Sequence, residues 1–209
     1  MSQMPSTISS TLMTVEEYLA YEETAEEKHD YVDGKLIDVR AMAGGTSEHS
    51  MIELNWAAAL LRKLEGKPCR PFSSNLKVRA RKKVRYRYPD LSVACQPFEY
   101  DDRESSHRTL LNPTLIVEIL SSSTESQDRG AKFSEYREIE SFREYVLTAQ
   151  HKPYVEVYFR LDDGQWMVNF TEGMEGIVRL RSLDIELPVK DLYVGVQFPV
   201  VPDEEPKKE

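Results

Sequence analysis

An α/β or α+β domain around a mixed sheet is the fold class that this sequence predicts. Three observations lead there. Segments with helical period alternate with segments of strand period in the order helix, hairpin, helix, strands, helix, strands. Two Asp-Gly pairs, at 33–34 and 163–164, mark tight turns between extended pieces. The apolar run TLIVEIL, residues 114–120, reads as a central strand buried on both faces. That run is broken by one charge, Glu118, which an unaided core strand would not carry.

Taken in order, residues 1–13 are rich in Ser and Thr and are expected to be disordered. Thr14, with Glu17 three residues on, has the capping-box form, so a helix is expected over 15–23. HDYVDGKLIDV predicts a hairpin over 29–40, turning at Asp33-Gly34. MAGGTSEHS reads as a loop. SMIELNWAAALLRKLEG follows, with Ile52, Trp56, Leu60 and Leu64 at four-residue intervals and Gly66 as a stop, and is the strongest helix signal.

Beyond Pro71, every odd position from 77 to 87 is Lys or Arg, with Val78, Ala80, Val84, Tyr86 and Tyr88 between them. That is strand period, and a turn near Lys82-Lys83 would exchange the faces of two strands. LSVAC reads as buried and 97–112 as a long polar loop. A short helix is expected over RGAKFSEYREI, then strands at EYVLTA, YVEVYFRL and QWMVNFT. Residues 14–198 thus read as a single domain and 199–209 as a flexible tail.

The 209 residues carry a net charge of −9. This disfavours a general nucleic-acid binder and leaves room only for a local basic patch. No segment approaches 18 apolar residues, so no membrane span is expected. The first residues do not run basic then apolar, so secretion is not expected. The two cysteines, Cys69 and Cys95, form no CxxC and read as free thiols of a reducing compartment. The expected address is cytoplasmic.

Asp90 opens LSVAC and Glu118 lies within LIVEIL. A buried carboxylate without a partner costs several kcal/mol or takes up a proton. Mg²⁺ is usually held by one or two carboxylates, with waters and phosphates completing its shell. Two acids on neighbouring strands would suit it. Asp128, Lys132 and Tyr136, spaced i, i+4, i+8, share one face of the short helix and could bring an ammonium to the ion. Each residue also has a plainer reading: Asp90 as a turn residue, Glu118 paired to an arginine of the basic strand, Lys132 paired to Asp128 at the surface.

RYPDLSV, LIVEILSSST and DRGAKFSEYR together resemble the Uma2 family, a branch of the PD-(D/E)XK nuclease-like superfamily. The family pattern has PD at a strand start, E-I/V-L-S-P-S-T, and D-x-x-x-K-x-x-x-Y on a helix. Here these are Pro89-Asp90, Glu118 to Thr124, and Asp128, Lys132 and Tyr136. YVDGKLIDV is similar to the family's Y-E-L-I-D-G-E-I-V hairpin, His49 matches its histidine before the long helix, and EYVLTAQ its later E-Y-W-I/L-V-D-P. The resemblance spans about 14–195. Val32 is taken as the replacement for the hairpin glutamate, and Ser122 stands where proline is usual. Leu120 occupies the place of the superfamily lysine, two positions after the second acid and on the same strand face.

The resemblance implies a restriction-endonuclease-like mixed sheet flanked by helices. It implies a Mg²⁺-dependent (or Mn²⁺-dependent) endonuclease acting on DNA. Asp90, Glu118 and the backbone carbonyl of Ile119 would ligate the ion, and Lys132, moved to the helix, would serve the attacking water. His49 would contact phosphate or a water on the ion, or else serve as a helix-start packing residue. Glu53, Asp128 and Tyr136 would support the site. Arg79, Arg81, Lys83, Arg85 and Arg87 would either grip DNA or balance the acidic stretches near 16–33 and 99–104. A homodimer would supply the two sites that a duplex cut requires. The alternative is a non-catalytic nucleic-acid-binding or regulatory module on the same scaffold.

Overall fold

The computed structural model describes residues 12–39, 45–80, 84–104 and 106–198. The disorder expected for residues 1–11, the tail at 199–209, the turn at Lys82-Lys83, and Arg81 and Lys83 as DNA contacts lie outside the described residues.

Helix α1 (Val15–Thr24) begins where its capping box places it. The Thr14 N–H donates to Glu17 Oε2 (2.8 Å), and the Glu17 N–H donates to Thr14 Oγ1 (3.2 Å). Strands β1 (His29–Val32) and β2 (Lys35–Asp38) form the hairpin. Asp33 and Gly34 both adopt positive φ, +50° and +85°, as a two-residue type I′ turn requires. Helix α2 (Ser47–Lys63) starts earlier than its apolar period suggests, because Thr46 caps it by accepting the His49 N–H at 3.1 Å.

The strands that follow are β3 (Cys69–Ser73), β4 (Lys77–Ala80), β5 (Arg85–Arg87), β6 (Leu91–Cys95), β7 (Thr109–Leu110) and β8 (Pro113–Leu120). A broken helix comes next: α3 (Glu125–Gln127), a π turn over Asp128–Lys132, and α4 (Phe133–Tyr136). The chain continues through β9 (Glu144–Ala149), β10 (Tyr154–Arg160), β11 (Trp166–Glu172), β12 (Ile177–Leu180), β13 (Ile185–Pro188) and α5 (Val189–Leu192).

A six-stranded mixed sheet, ordered β11-β10-β9-β8-β6-β3, forms the middle of the molecule. Its β8–β9 pair is parallel and the rest are antiparallel. A second sheet, β2-β1-β5-β4-β7, and the small β12-β13 pair complete the architecture. Alternation along β8 divides the core. Leu115, Val117 and Ile119 pack with Ile52, Trp56 and Leu60 of α2 and with the β12-β13 pair. Ile116 and Leu120 pack the other way, with Val78, Ala80 and Leu110 of the second sheet and with Tyr136. Burying both faces of β8 explains its unbroken apolar run.

The exchange of faces expected between the two basic strands is present, and one other expectation is corrected. The β4–β5 register pairs Val78 with Arg87, Arg79 with Tyr86 and Ala80 with Arg85. The arginines of the two strands therefore lie on opposite faces, and no single basic face forms. Cys69 and Cys95, expected as free thiols, stand opposite each other on β3 and β6 and form a disulfide. The thiol argument for a reducing compartment falls with them. Among the described residues, no helix is long and apolar enough to cross a membrane.

Candidate active site

The charge in β8 has a specific surrounding. Glu118 shares the face of Ile116 and Leu120 and is 2% exposed. Asp90 immediately precedes β6, whose register sets Leu91 opposite Val117, so Asp90 comes opposite Glu118. Its N–H points at Glu118 Oε2 (3.5 Å), and its Oδ2 accepts the Ile119 N–H at 2.6 Å. Because β6 begins only at Leu91, the Asp90 side chain takes the backbone donor that an earlier β6 residue would have taken. The Ile119 carbonyl shares that open edge, since a strand residue turns its N–H and C=O the same way.

The broken helix supplies the cation. Lys132 closes the π turn and sets its Nζ 2.8 Å from Asp128 Oδ1 and 3.1 Å from Glu118 Oε1. The Tyr136 hydroxyl donates to Glu118 Oε1 at 3.1 Å. The Tyr145 hydroxyl donates to the Asp128 carbonyl (2.9 Å) and holds the turn in place. Such π turns recur at functional sites. Leu120 thus fills the core while the ammonium arrives from the helix. Burial pushes the Glu118 carboxyl well above its ordinary pKa; Lys132 opposes this, and Asp128 and Asp90 add to it. For Lys132, burial favours loss of the proton, but Asp128 and Glu118 outweigh it and hold the ammonium charged.

His49, in the first turn of α2, reaches Asp90 Oδ1 with Nε2 at 3.3 Å. Burial alone would depress its pKa, yet the bond to Asp90 and the nearby Asp90 and Glu53 charges raise it. Its Nδ1 is buried without a hydrogen-bond partner. Glu53 stands one turn along, accepts weakly from Ser74 Oγ (3.4 Å), and is raised by burial and then by Asp90. A cavity of about 30 Å³ is lined by Asp30, His49, Asp90, Glu118, Asp128 and Lys132, among others. That is room for an ion or a water or two. It adjoins a cleft of about 460 Å³ whose walls include Lys28, Glu53 and Tyr88 and which shares His49 and Asp90 with it.

The structure therefore brings together Asp90, Glu118, Ile119, Asp128, Lys132, Tyr136 and His49, with Glu53 at the cleft wall. The basic strands are elsewhere engaged. Arg87 is 3% exposed and its guanidinium is held by Asp30 (3.0 Å) and Glu135 (2.7 Å). As a DNA contact it is corrected: it belongs to the interior. Arg85 pairs with Asp33 and Glu135, and Arg79 with Asp101. The arginines balance the acidic stretches of the chain, the second of the two readings of this segment.

Asp30 was missed. It is 1% exposed, accepts from Tyr88 N–H (2.9 Å) and Arg87, and lines the small cavity. The signal was present. In Y-E-L-I-D-G the glutamate stands three residues before the aspartate, which is Asp30 when counted back from Asp33 and not Val32.

Among the described residues no three His, Cys, Asp or Glu side chains group so as to hold a metal by themselves. The donor set nevertheless fits a hard divalent ion. Glu118 and Asp128 share one ammonium, Asp90 stands opposite Glu118, and burial is the first cause of the upward push on the Glu118 carboxyl. Two carboxylates are as many as Mg²⁺ commonly takes from a protein.

A family model described as "Putative restriction endonuclease", Uma2, matches residues 15–190. The chain belongs to the Uma2 family. Two relatives from Synechocystis sp. support this. The uncharacterized protein slr1290 is 34% identical over 89% of this chain and 94% of its own length. The uncharacterized protein sll1609 is 31% identical over 85% and 97%. In fold, the chain is similar to a crystal structure titled a putative nuclease belonging to DUF820 from Anabaena variabilis. The TM-score is 0.70 at 18% identity, covering 88% of this chain and 99% of that one. The Uma2 chain thus has the restriction-endonuclease-like architecture, with its acids at the centre of the mixed sheet.

Proposed function

We propose that this Uma2 protein is a divalent-metal-dependent endonuclease that hydrolyses phosphodiester bonds in DNA. The observation that carries the reading is the convergence of Asp90, Glu118 and Lys132 in one small cavity open to a larger cleft. Asp90, Glu118 and the Ile119 carbonyl would hold Mg²⁺ or Mn²⁺. When bound, such an ion lowers the pKa of water and offsets charge on the scissile phosphate. Lys132, kept protonated by Asp128 and Glu118, orients the attacking water with its donors. Asp128 and Tyr136 fix Lys132 and Glu118 against rotation. His49, raised in pKa by Asp90, offers a proton or a hydrogen bond on the cleft side. A homodimer is part of the proposal, since a duplex has two strands to cut; its test is the sedimentation mass.

The test is plasmid nicking with Mg²⁺ or Mn²⁺ by wild type, Glu118→Gln and Lys132→Ala, each checked for folding by circular dichroism. Wild type is expected to nick and both variants to lose at least a hundredfold in rate, about 2.7 kcal/mol. Equal cleavage by all three defeats the reading.

A second reading has its own support. The Glu118 carboxylate already meets Lys132, Tyr136 and the Asp90 N–H, as a purely structural ion network would. A non-catalytic binding or regulatory module then follows, and calorimetry showing no Mg²⁺ or Mn²⁺ uptake would favour it.

A further inference from the structure

Lys28 stands apart from the other cations near the site. Lys77, Arg79, Arg85, Arg87, Arg129 and Lys132 each have a carboxylate within ion-pair distance. Lys28 lines the 460 Å³ cleft, where it is the one lysine or arginine among the described lining residues. Its ammonium donates to the Ser74 carbonyl at 2.9 Å and lies 5.7 Å from the centre of the Tyr88 ring. An ammonium has three donors, so this anchoring leaves donors for a ligand. Burial lowers its pKa, and the Glu53, Asp90 and Glu22 charges oppose that.

The backbone fixes its place relative to the acids. The Lys28 carbonyl accepts the Val39 N–H at 3.1 Å, which extends the β1–β2 ladder by one residue beyond the His29–Asp38 pair. Lys28 and Asp30 therefore lie on the same strand face, about 7 Å apart. Asp30 faces the small cavity and Lys28 the cleft beside it. The cleft is otherwise acidic, with Glu26, Glu27, Glu53 and Asp90 on its walls. A polyanion entering it finds one anchored positive charge.

We propose that Lys28 seats a substrate phosphate next to the scissile one and so sets the register of the strand across the site. The proposal rests on the nuclease reading for the identity of the ligand. Its chemistry is that of a single phosphate contact made by a point charge. Such a contact adds affinity without reading a base.

The experiment measures binding of a fluorescein-labelled DNA oligonucleotide in Ca²⁺ by anisotropy across a salt series, and cleavage of it in Mg²⁺. Wild type, Lys28→Gln and Lys28→Arg are compared, the glutamine keeping a donor for Ser74. A parallel set of oligonucleotides carries one uncharged methylphosphonate at successive positions around the cut. Lys28→Gln is expected to bind roughly tenfold more weakly at low salt, with the salt slope reduced by about one. The cleavage loss is expected in KM, and Lys28→Arg is expected to restore binding. One methylphosphonate position is expected to weaken wild type by a similar factor and leave Lys28→Gln unaffected. An unchanged salt slope, or a methylphosphonate penalty equal in both proteins at every position, overturns the seat. Binding that behaves as expected without any wild-type cleavage keeps the seat and removes the nuclease. Cleavage without this binding pattern does the reverse, and wild type that binds no oligonucleotide overturns both.

Discussion

Replacing Lys132 with alanine removes an ammonium that touches two buried carboxylates. Glu118 is 2% exposed and Asp128 1%. Breaking a buried pair from one side costs about 3–5 kcal/mol, because the remaining charge stays desolvated. Against a total stability of about 5–15 kcal/mol this is a large fraction, and in a chain of this size it lowers Tm by about 10 °C. The variant offers a signature beyond lost activity. Without Lys132 the charge that lowers the Glu118 pKa is gone, while burial, Asp128 and Asp90 still raise it. A group whose folded pKa lies above its unfolded value stabilises the fold at low pH, and that stability is lost as pH rises through the folded pKa. Compared at pH 5 and at pH 8, the variant is therefore expected to lie closer to wild type at the lower pH. Mg²⁺ should recover part of the deficit at pH 8, because binding to the folded state alone stabilises it by mass action, about 2.7 kcal/mol at a hundred times Kd. Urea unfolding followed by circular dichroism at both pH values, with and without Mg²⁺, measures all of this. A variant as stable as wild type at pH 8, or one whose deficit is independent of pH, would refute the electrostatic account of the site.

Other perturbations test other parts. Arg87→Met is expected to destabilise the fold by about 3–5 kcal/mol through Asp30 and Glu135 while leaving the salt slope of DNA binding unchanged; a reduced slope would return Arg87 to the DNA surface. Reduction of Cys69–Cys95, which are 26 residues apart, should lower stability by about 3 kcal/mol, read from urea midpoints with and without reductant. Asp101 is buried against Arg79, Arg103 and Tyr86, and its pKa is depressed: burial alone would raise it, but the Arg103 and Tyr86 bonds prevail. Its contribution is present above the unfolded value of about 3.9 and is lost as pH falls below it. Asp101→Asn should therefore flatten the acid limb of the stability profile, and an unchanged limb counts against this pairing.

What was legible in the sequence was local chemistry. The capping box at Thr14, the Asp33-Gly34 turn, the α2 stripe and the β8 run each follow from a pattern a few residues long, and each is in the structure. Elements defined by their partners were not legible. Strand β3 carries Pro71 and alternates weakly, and it exists because it pairs with β6. Strand β7 is two residues within a segment read as loop, and it forms by lying parallel to β4. β12 and β13 close over α2 and the central sheet through long-range contacts that no local period encodes.

The same division holds at the site. Asp90, Glu118 and Lys132 could be named from short motifs, but what each carboxylate oxygen meets depends on three elements distant in sequence. The arginines show the limit most clearly. A row of alternating Lys and Arg looks like one basic face only until β4 and β5 are paired, because their register sets Arg85 and Arg87 on the face opposite to Arg79. Arg87 lands beside Asp30 and Glu135 and ties the hairpin to the helix that carries Lys132. Arg79, Arg85 and Arg87, which could have met a ligand or balanced acids, thus do the second. Among the described residues, the lysine facing the cleft is Lys28, which belongs to no basic run. In a chain of net charge −9, the cleft itself, with four carboxylates and one lysine among its described lining residues, would attract a polyanion most where that ammonium and a bound ion act together. Recognition in such a protein should depend steeply on divalent ion concentration, and Lys28 should matter most when the ion is present.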